Sequence, residues 1–417
     1  MSRKSTLVPL LVVMSLMFIW NLSRNINDIL IPHLKRACQL SDFQSSLVQS
    51  AFFGAYFLFA LPVGKFINRY GYKAGMVTGL IIASVGAFLF FPAADTRYYP
   101  LFLTALFIIA AGFTFLEVTA TPYVSVLGDP NRAASRLSLA AAVGSLGATL
   151  GPFIGSKLLL HATDVTPSAI KQLNPVALTQ YLDSEAQLVK VPYLCLGVFF
   201  VVMSVLIYFI KLPKVHTEGQ TGNSLKSVFR FRHTVLGALG VFFYLGAEVG
   251  IVSFIIRYAQ SLNIAALTEQ KAALFITLYM MLVLVGRLAG AYGLVRFKSE
   301  KVLAVCSLAA IILVSISLMS TGYTALYAIS LVGLFSSVMY PILFTLSIRN
   351  LGDYTKTGSS LIIMSIVGGA VIPPIMGVLS DHSGIKNAFF IPIVCYIYVL
   401  YYAYRGHVID DKSAQII

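Results

Sequence analysis

Residues 7–34 read LVPLLVVMSLMFIWNLSRNINDILIPHL, the first long apolar run of the chain. A helix of this length spans about 42 Å, which exceeds the roughly 30 Å hydrocarbon core of a bilayer. No small-residue cleavage site follows the apolar part, so we expect a permanent membrane span and not a signal peptide. The second half of the run carries an arginine, an aspartate and three asparagines: Arg24, Asp28, Asn21, Asn25 and Asn27. The run therefore predicts a membrane helix with ionisable groups at the depth of the lipid.

Arg24 and Asp28 need a physical explanation, because a charge near the centre of a membrane helix costs about 2.5 to 3.5 kcal/mol on insertion scales. The two residues are four positions apart and share one helix face, so they can neutralise each other. One interpretation is a structural ion pair within the helix bundle. The other is that Asp28 gains and loses a proton while a polar solute passes. The residues alone leave both interpretations open.

The composition of the whole chain is that of a membrane protein. Of its 417 residues, 58% are hydrophobic and 11% are charged, and the mean hydropathy is +0.84. Such a chain holds more apolar material than one soluble core can bury. The net charge of +14 is carried mostly by short loops between apolar runs, which argues against a nucleic-acid partner. The four cysteines have no metal-binding or redox spacing and are interpreted as packing residues.

We predict twelve membrane spans of about 20 to 28 residues each. Their approximate limits are 7–34, 43–68, 74–94, 99–127, 133–160, 190–211, 232–260, 268–295, 300–320, 323–349, 357–380 and 385–404. Residues 161–189 are predicted to form a polar loop outside the cell. Nineteen Lys and Arg residues fall in loops on the side of the N-terminus and eight on the other side, and the last three of the 30 lie within spans. The positive-inside rule therefore predicts that both termini are cytoplasmic.

The chain divides into two similar halves. Residues 1–211 form the N-terminal six-helix half, residues 212–231 a basic cytoplasmic linker, and residues 232–417 the C-terminal six-helix half. An internal repeat supports this division, because Leu127-Gly128-Asp129 before the fifth span recurs as Leu351-Gly352-Asp353 before the eleventh. Parallel halves of this kind are the design of one large class of secondary transporters, which work by alternating access.

The loop between the second and third spans reads GKFINRYGYK over residues 64–73. It is similar to the cytoplasmic loop signature of the major facilitator superfamily, with Asn68 where an aspartate is usual. Other short motifs resemble, in order and spacing, the family of L-fucose–proton symporters and glucose/galactose permeases. They are NINDIL at 25–30, QSAF at 49–52, LE at 116–117, IRYA at 256–259, YP at 340–341 and GSS at 358–360. The resemblance covers nearly all twelve spans and implies an all-α fold of twelve transmembrane helices.

The resemblance also implies residue roles. Proton coupling would fall to Asp28 and sugar recognition to Glu117, while Arg287 and Tyr340 would lie at or near the substrate cavity. Protonation of Asp28 would release Arg24, which would link proton binding to the conformational equilibrium. The residues expected to form the cytoplasmic gate are Gly64, Arg69, Gly71 and Lys73.

The polar residues of the spans predict a hydrophilic substrate. Glu117 in the fourth span and Glu248 in the seventh lie at comparable depth in opposite halves. Carboxylates accept strong charge-assisted hydrogen bonds, such as those that a polyhydroxylated solute could donate. Asn25 is a further candidate binding residue. For Glu248 a structural pair with Arg287 is the alternative, and both interpretations stay open.

The fifth span departs from the family pattern. Residues 139–144 read LAAAVG, where family members usually show a Gln and an Asn. We therefore expect the native substrate to present an apolar or bulkier group to the wall near Ala141. Farther along, Gly147, Gly151 and Gly155 repeat at four-residue spacing, which predicts close helix packing. This pattern also resembles a motif of drug–proton antiporters and keeps that class as an alternative.

The sequence thus predicts a proton-driven importer of a monosaccharide or similar polyol in the cell inner membrane. The expected partners are a sugar and the lipid bilayer, with H+ as the coupling ion, no cofactor and a monomeric state. The alternatives are sodium-coupled or uncoupled sugar transport, a proton-antiporting drug exporter, and a non-transporting nutrient receptor. The last usually needs a sizeable soluble extension, which we do not expect after the last span. An enzyme is not expected, because no Ser/His/Asp, paired-Cys or phosphate-loop pattern occurs.

Overall fold

The computed structural model describes residues 3–126, 133–159, 174–210, 225–262, 264–265, 267–351 and 354–409. Every regular element of these residues is a helix. Eleven helical segments of the described part are long and apolar enough to cross a membrane. Many large apolar side chains remain exposed on them, such as Val191, Val198 and Leu206, as expected where lipid replaces water. The fold class predicted from the sequence is confirmed.

The first of two compact units comprises residues 1–219 and 268–277. Its helices are α1 (Arg3–Ala37), α2 (Asp42–Thr96), α3 (Tyr99–Val126), α4 (Ala133–Leu159), α5 (Pro175–Gln187) and α6 (Lys190–Phe209). Helix α1 packs on α4, whereas α2 packs on α3 and α6. In the core, the Phe113 ring makes edge-to-face contacts with Phe52 and Phe200, at centroid distances of 6.2 and 5.7 Å. These contacts join α2, α3 and α6.

The second unit comprises residues 220–267 and 278–417. Its α-helices are α7 (Leu225–Val228), α8 (Arg232–Ser261), α9 (Glu269–Arg296), α10 (Ser299–Met319), α11 (Gly322–Ser336), α12 (Met339–Ser347), α13 (Thr355–Met364), α14 (Gly368–Ser383), α15 (Ile385–Ala388) and α16 (Phe390–Tyr401). A 3₁₀ turn, Ser365–Val367, joins α13 to α14, and a π-helical turn, Tyr402–Gly406, follows α16. Helix α8 contacts α12, α14 and α16 and is buried over most of its length. The first residues of α9 belong to the first unit and the rest to the second.

Helix α2 contains both the second and the third predicted spans. It begins with a capping box, in which Ser41 Oγ accepts from the Gln44 amide and Gln44 Oε1 accepts from the Ser41 amide. Gly71 interrupts its helical geometry, with φ 83° and ψ 169°. Only glycine adopts such a backbone conformation without strain, so Gly71 is what separates the two spans. In place of the loop predicted here, α2 has one residue with non-helical backbone angles, Gly71.

The predicted polar loop at 161–189 is wrong for its second part, because residues 175–187 form α5. Asn174 caps this helix by accepting a hydrogen bond of 2.7 Å from the Ala177 amide, and Pro175 occupies the first turn. Residues 160–173 and 211–224 lie outside the described residues. The same is true of 127–132 and 352–353, so of the two copies of the Leu-Gly-Asp motif only Leu351 is described.

Two predicted C-terminal spans are interrupted in the structure. The tenth is divided into α11 and α12 at Ser337 and Val338. The eleventh changes geometry at the 3₁₀ turn, and α14 continues through Pro373 and Pro374. The break precedes the first proline by six residues, so the missing proline amides do not account for it.

The glycine stripe of α4 packs directly on α1. A Cβ at Gly151 would lie 2.6 Å from the Leu22 carbonyl oxygen, and one at Gly147 would lie closer still to the Phe18 carbonyl oxygen. At Gly155 the nearest atom is Ile29 Cγ1 at 3.3 Å. The predicted role of this stripe in close packing is confirmed.

Candidate functional site

Asp28 lies on α1 and contacts α2 inside the first unit. Its Oδ1 accepts a hydrogen bond of 2.8 Å from Gln49 Nε2, and both side chains are buried. A glutamine amide donates through Nε2 and, after rotation, accepts through Oε1. Gln49 therefore accommodates both a carboxylate and a carboxylic acid at Asp28, which suits a group that exchanges a proton.

Arg24 lies one turn before Asp28 and also faces α2. Its guanidinium carbon is 5.1 Å from the centre of the Phe53 ring, a cation–π contact. It also lies within electrostatic range of Tyr56 on the same helix. The structure thus gives each member of the predicted Arg24–Asp28 pair a partner on α2. The proton-coupling role of the two residues stays a prediction.

Glu117 extends from α3 toward Tyr56 of α2. The Tyr56 hydroxyl lies beside the Glu117 carboxylate and interacts with it electrostatically. Both Tyr56 Oη and Glu117 Oε2 are buried atoms. The first unit thus has a corner in which Arg24 and Glu117 both act on the Tyr56 hydroxyl.

Asn25 faces α4. Its Nδ2 donates a hydrogen bond of 2.8 Å to the Asn21 carbonyl oxygen within α1, and its Cβ packs against Gly151. The neighbouring Asn21 behaves alike, donating to the Met17 carbonyl at 2.8 Å. Asn25 as a substrate-binding residue stays a prediction. The side chain of Ala141, predicted to face the substrate, lies outside the described part.

Glu248 of α8 lies among tyrosines in the second unit. The Tyr244 hydroxyl donates a hydrogen bond of 2.6 Å to Glu248 Oε2. The hydroxyls of Tyr279 and Tyr396 are also within electrostatic range of this carboxylate. Tyr279 is hydrogen-bonded to Ser336 at 3.1 Å. A carboxylate beside a buried tyrosine therefore occurs in each unit.

Arg287 and Tyr340, the other predicted binding residues of this half, lie on α9 and α12. Arg287 is within electrostatic range of Tyr244, the hydrogen-bond donor to Glu248. Arg287 and Glu248 thus share Tyr244 as a neighbour, and both interpretations of Glu248 stay open. The Tyr340 ring packs against Phe344 one turn later, at a centroid distance of 6.2 Å. Roles of both residues in binding stay predictions.

The predicted gate residues surround the break in α2. Gly71 supplies the positive φ angle of that break. The Arg69 guanidinium lies 5.2 Å from the Tyr70 ring centre, and Lys73 Nζ lies 5.7 Å from that of Tyr208 on α6. A Cβ at Gly64 would meet no described atom within 4 Å, so packing does not require glycine there. Gating by these four residues stays a prediction.

A second charge cluster lies at the C-terminal end of α1. Arg36 Nη1 is 2.8 Å from Glu269 Oε2, and Nη2 is 3.4 Å from Glu185 Oε2. His33 Nδ1 is 3.6 Å from the same Glu185 oxygen. His33, Glu185 and Glu269 are almost fully buried. The cluster therefore attaches α5 and the first turn of α9 to α1 within the first unit.

Sequence reasoning missed several of these contacts. It noted Gln49 only as part of a motif and gave Tyr56 and Glu185 no role. Tyr244 was also missed, although its four-residue separation from Glu248 places the two on one helix face. No local signal identifies the Gln49–Asp28 contact, because it joins two helices.

Comparison with known proteins gives a consistent result. The family model of the Major Facilitator Superfamily matches residues 13–366. A glucose/galactose transporter of Brucella abortus is 42% identical over 394 residues, covering 94% of this chain and 92% of the relative. The L-fucose-proton symporter of Escherichia coli is 37% identical over 409 residues, covering 96% and 93%. The crystal structure of the E. coli fucose:proton symporter FucP superposes with a TM-score of 0.70 at 37% identity, covering 96% of this chain and 98% of that one.

Proposed function

The chain belongs to the Major Facilitator Superfamily, a family of transporters and not of enzymes, and we propose that it imports a monosaccharide or closely similar polyol together with protons. The relatives that match nearly its whole length are named as sugar transporters. Their substrates support a sugar here, and the name of the fucose relatives supports coupling to H+.

The buried contact between Asp28 and Gln49 carries the proposal of proton coupling. A coupling residue must exist in two protonation states during one cycle, and its surroundings must satisfy both. The Gln49 amide donates to the Asp28 carboxylate and, after rotation, can accept from the carboxylic acid, so this contact suits both states. We propose that the protein lies in the inner membrane. Its two termini are cytoplasmic in this proposal, because most of the positively charged loop residues lie on their side.

The alternating-access cycle follows from these parts. A proton and the sugar bind while the site is open to one side, and the doubly loaded protein changes its conformation more readily than a singly loaded one. Protonation of Asp28 would alter the field around Arg24 one turn away, which links the proton to the helix that carries both. The cycle needs no further cofactor, and a monomer suffices.

The test is uptake into proteoliposomes with an imposed pH gradient, acid on the side from which the sugar enters. Labelled glucose, galactose and L-fucose are the substrates. We expect the wild type to accumulate one of them without sodium and to lose accumulation when a protonophore is added. Asp28→Asn should abolish accumulation but retain equilibrium exchange, because asparagine keeps the volume and cannot release a proton.

Asp183→Asn is the matched control, since Asp183 is half-exposed and paired with Arg97 on the surface. Its accumulation should equal that of the wild type. If accumulation requires sodium, the coupling ion is sodium and not the proton. Full accumulation by Asp28→Asn would remove Asp28 from the coupling role.

A further inference from the structure

The Glu248 carboxylate lies among tyrosine hydroxyls in the second unit, near the middle of α8. The Tyr244 hydroxyl, one turn earlier, donates a hydrogen bond of 2.6 Å to Glu248 Oε2. The hydroxyls of Tyr279 on α9 and Tyr396 on α16 lie within electrostatic range of the same carboxylate. All three tyrosines are almost fully buried, whereas Glu248 itself is half-buried. The carboxyl group is therefore accessible to a proton, while its tyrosine partners are kept from solvent.

Hydroxyl groups suit both protonation states of a carboxyl group. A carboxylate only accepts hydrogen bonds, whereas a carboxylic acid also has a proton to donate. Tyr244 donates to ionised Glu248, and after its O–H turns away its oxygen can accept from protonated Glu248. The turned O–H needs an acceptor of its own, and the Tyr279 hydroxyl lies within electrostatic range of Tyr244.

The hydroxyls beyond Tyr244 are also reversible. Tyr279 Oη and Ser336 Oγ are 3.1 Å apart, and either atom can be the donor. Tyr396 Oη has no hydrogen-bond partner among the described residues, so no bond fixes the direction of its O–H. The O–H groups of this cluster can therefore reorient together when a proton binds to Glu248, and no covalent bond of a tyrosine breaks.

We infer that Glu248 is a second proton-binding site, so that two protons enter with each sugar molecule, one on Asp28 and one on Glu248. This inference rests on the proposed function and adds a stoichiometry to it. The proton comes from the aqueous phase, adds to the Glu248 carboxylate and is released to the other side later in the cycle.

The charged and titratable neighbours of Glu248 decide whether such a proton can leave again. Arg287 on α9 acts on Tyr244, and a positive charge favours the ionised form of a carboxyl group near it. Arg287 thereby opposes permanent protonation of Glu248, as a coupling residue requires. Other side chains near this part of α8 are Cys395 beside Tyr396 on α16, which titrates, and Ile372 and Met376 on α14, which do not.

The test measures the number of protons per sugar in proteoliposomes, as the sugar gradient at which net sugar flux is zero. The membrane potential is held at zero and the pH difference at about one unit. One coupled proton then balances about a tenfold sugar gradient, and two protons balance about a hundredfold gradient. We expect about a hundredfold gradient for the wild type.

Glu248→Gln keeps the size of the side chain but cannot take up a proton, so its zero-flux gradient should fall to about tenfold. Glu248→Asp keeps a titratable carboxyl group and should stay near the hundredfold value, even if Glu248→Gln does not transport. Glu300→Gln is the matched control, since Glu300 is a glutamate of the same unit in the first turn of α10. Its zero-flux gradient should equal that of the wild type.

The outcomes separate the inference from the function on which it rests. If the wild type accumulates no sugar in a pH gradient, the proposed proton coupling fails. If it accumulates sugar with a zero-flux gradient of about tenfold, proton coupling stands and the second site is overturned. A hundredfold gradient in Glu248→Gln would also overturn it, because the second proton would then bind elsewhere.

Discussion

The glycine stripe of α4 allows a quantitative prediction, because its contacts with α1 become looser along the helix. A Cβ in ordinary van der Waals contact lies 3.4 to 4 Å from its neighbour. At Gly151 a Cβ would lie 2.6 Å from a backbone oxygen, so alanine there must move one helix by nearly 1 Å. At Gly155 the corresponding distance is 3.3 Å, and the neighbour is the side chain of Ile29. Alanine at Gly155 therefore needs almost no adjustment.

Two opposing terms set the change in stability that each Gly→Ala substitution causes. Alanine is favoured over glycine in a helix by about 0.8 to 1.0 kcal/mol, and overpacking costs about 1 to 3 kcal/mol. Gly151→Ala should therefore lose up to about 2 kcal/mol, and Gly147→Ala, with its closer backbone neighbour, should lose at least as much. Gly155→Ala should leave the stability of the protein unchanged or increase it. Gly54→Ala on α2 is the control, since a Cβ there meets no described atom within 4 Å and only the helix preference remains.

The measurement is the apparent melting temperature in detergent, read as the loss of the monodisperse peak after heating. We expect Gly147→Ala and Gly151→Ala to melt below the wild type and Gly155→Ala and Gly54→Ala to melt at or above it. If Gly155→Ala melts as low as Gly151→Ala, the backbone contact between α1 and α4 does not set the stability of this pair.

Two further predictions concern polar contacts of the first unit. Gln49→Leu removes a hydrogen bond to Asp28 worth about 1.5 to 3 kcal/mol. The variant should accumulate about tenfold less sugar in a pH gradient, while exchange persists. If the variant and the wild type accumulate sugar equally, this hydrogen bond has no role in proton coupling. Arg36→Met leaves two buried carboxylates without their guanidinium, and should cost about 3 to 5 kcal/mol of stability, seen as a lower apparent melting temperature. Arg97→Met, whose partner Asp183 is half-exposed, should cost less than about 1 kcal/mol, and an equal loss in the two variants would contradict the role given to burial.

The fold was predictable because its signals are local. Span length and hydropathy do not depend on which helices meet, and the four-residue glycine spacing marks one face of α4. Helix α5 was missed because its polar composition suggested a loop, although Asn174 followed by Pro175 is a helix start signal. Its buried Glu185 is paired with Arg36 of α1 at 3.4 Å, a contact between helices far apart in the sequence.

The partners of the candidate site could not be predicted in the same way. Asp28 and Glu117 are conspicuous because they are charges in apolar segments, whereas Gln49 and Tyr56 are ordinary residues of a membrane helix. Gln49 and Asp28 are 21 positions apart, and their contact depends on how α1 and α2 pack. Sequence pattern predicts that such a charge needs a partner but not which helix supplies it.

The arrangement of charges bears on whether the chain could export lipophilic cations. Such a substrate needs a carboxylate whose charge is not already compensated, in an aromatic cavity. In the second unit the Glu248 carboxylate accepts from the Tyr244 hydroxyl. In the first unit Glu117 lies beside Tyr56, and the Arg24 guanidinium acts on the same corner. A cation entering there would be opposed by the positive charge of Arg24. The glycine stripe, the feature shared with drug antiporters, is accounted for by the packing of α4 on α1 and gives no independent support to export.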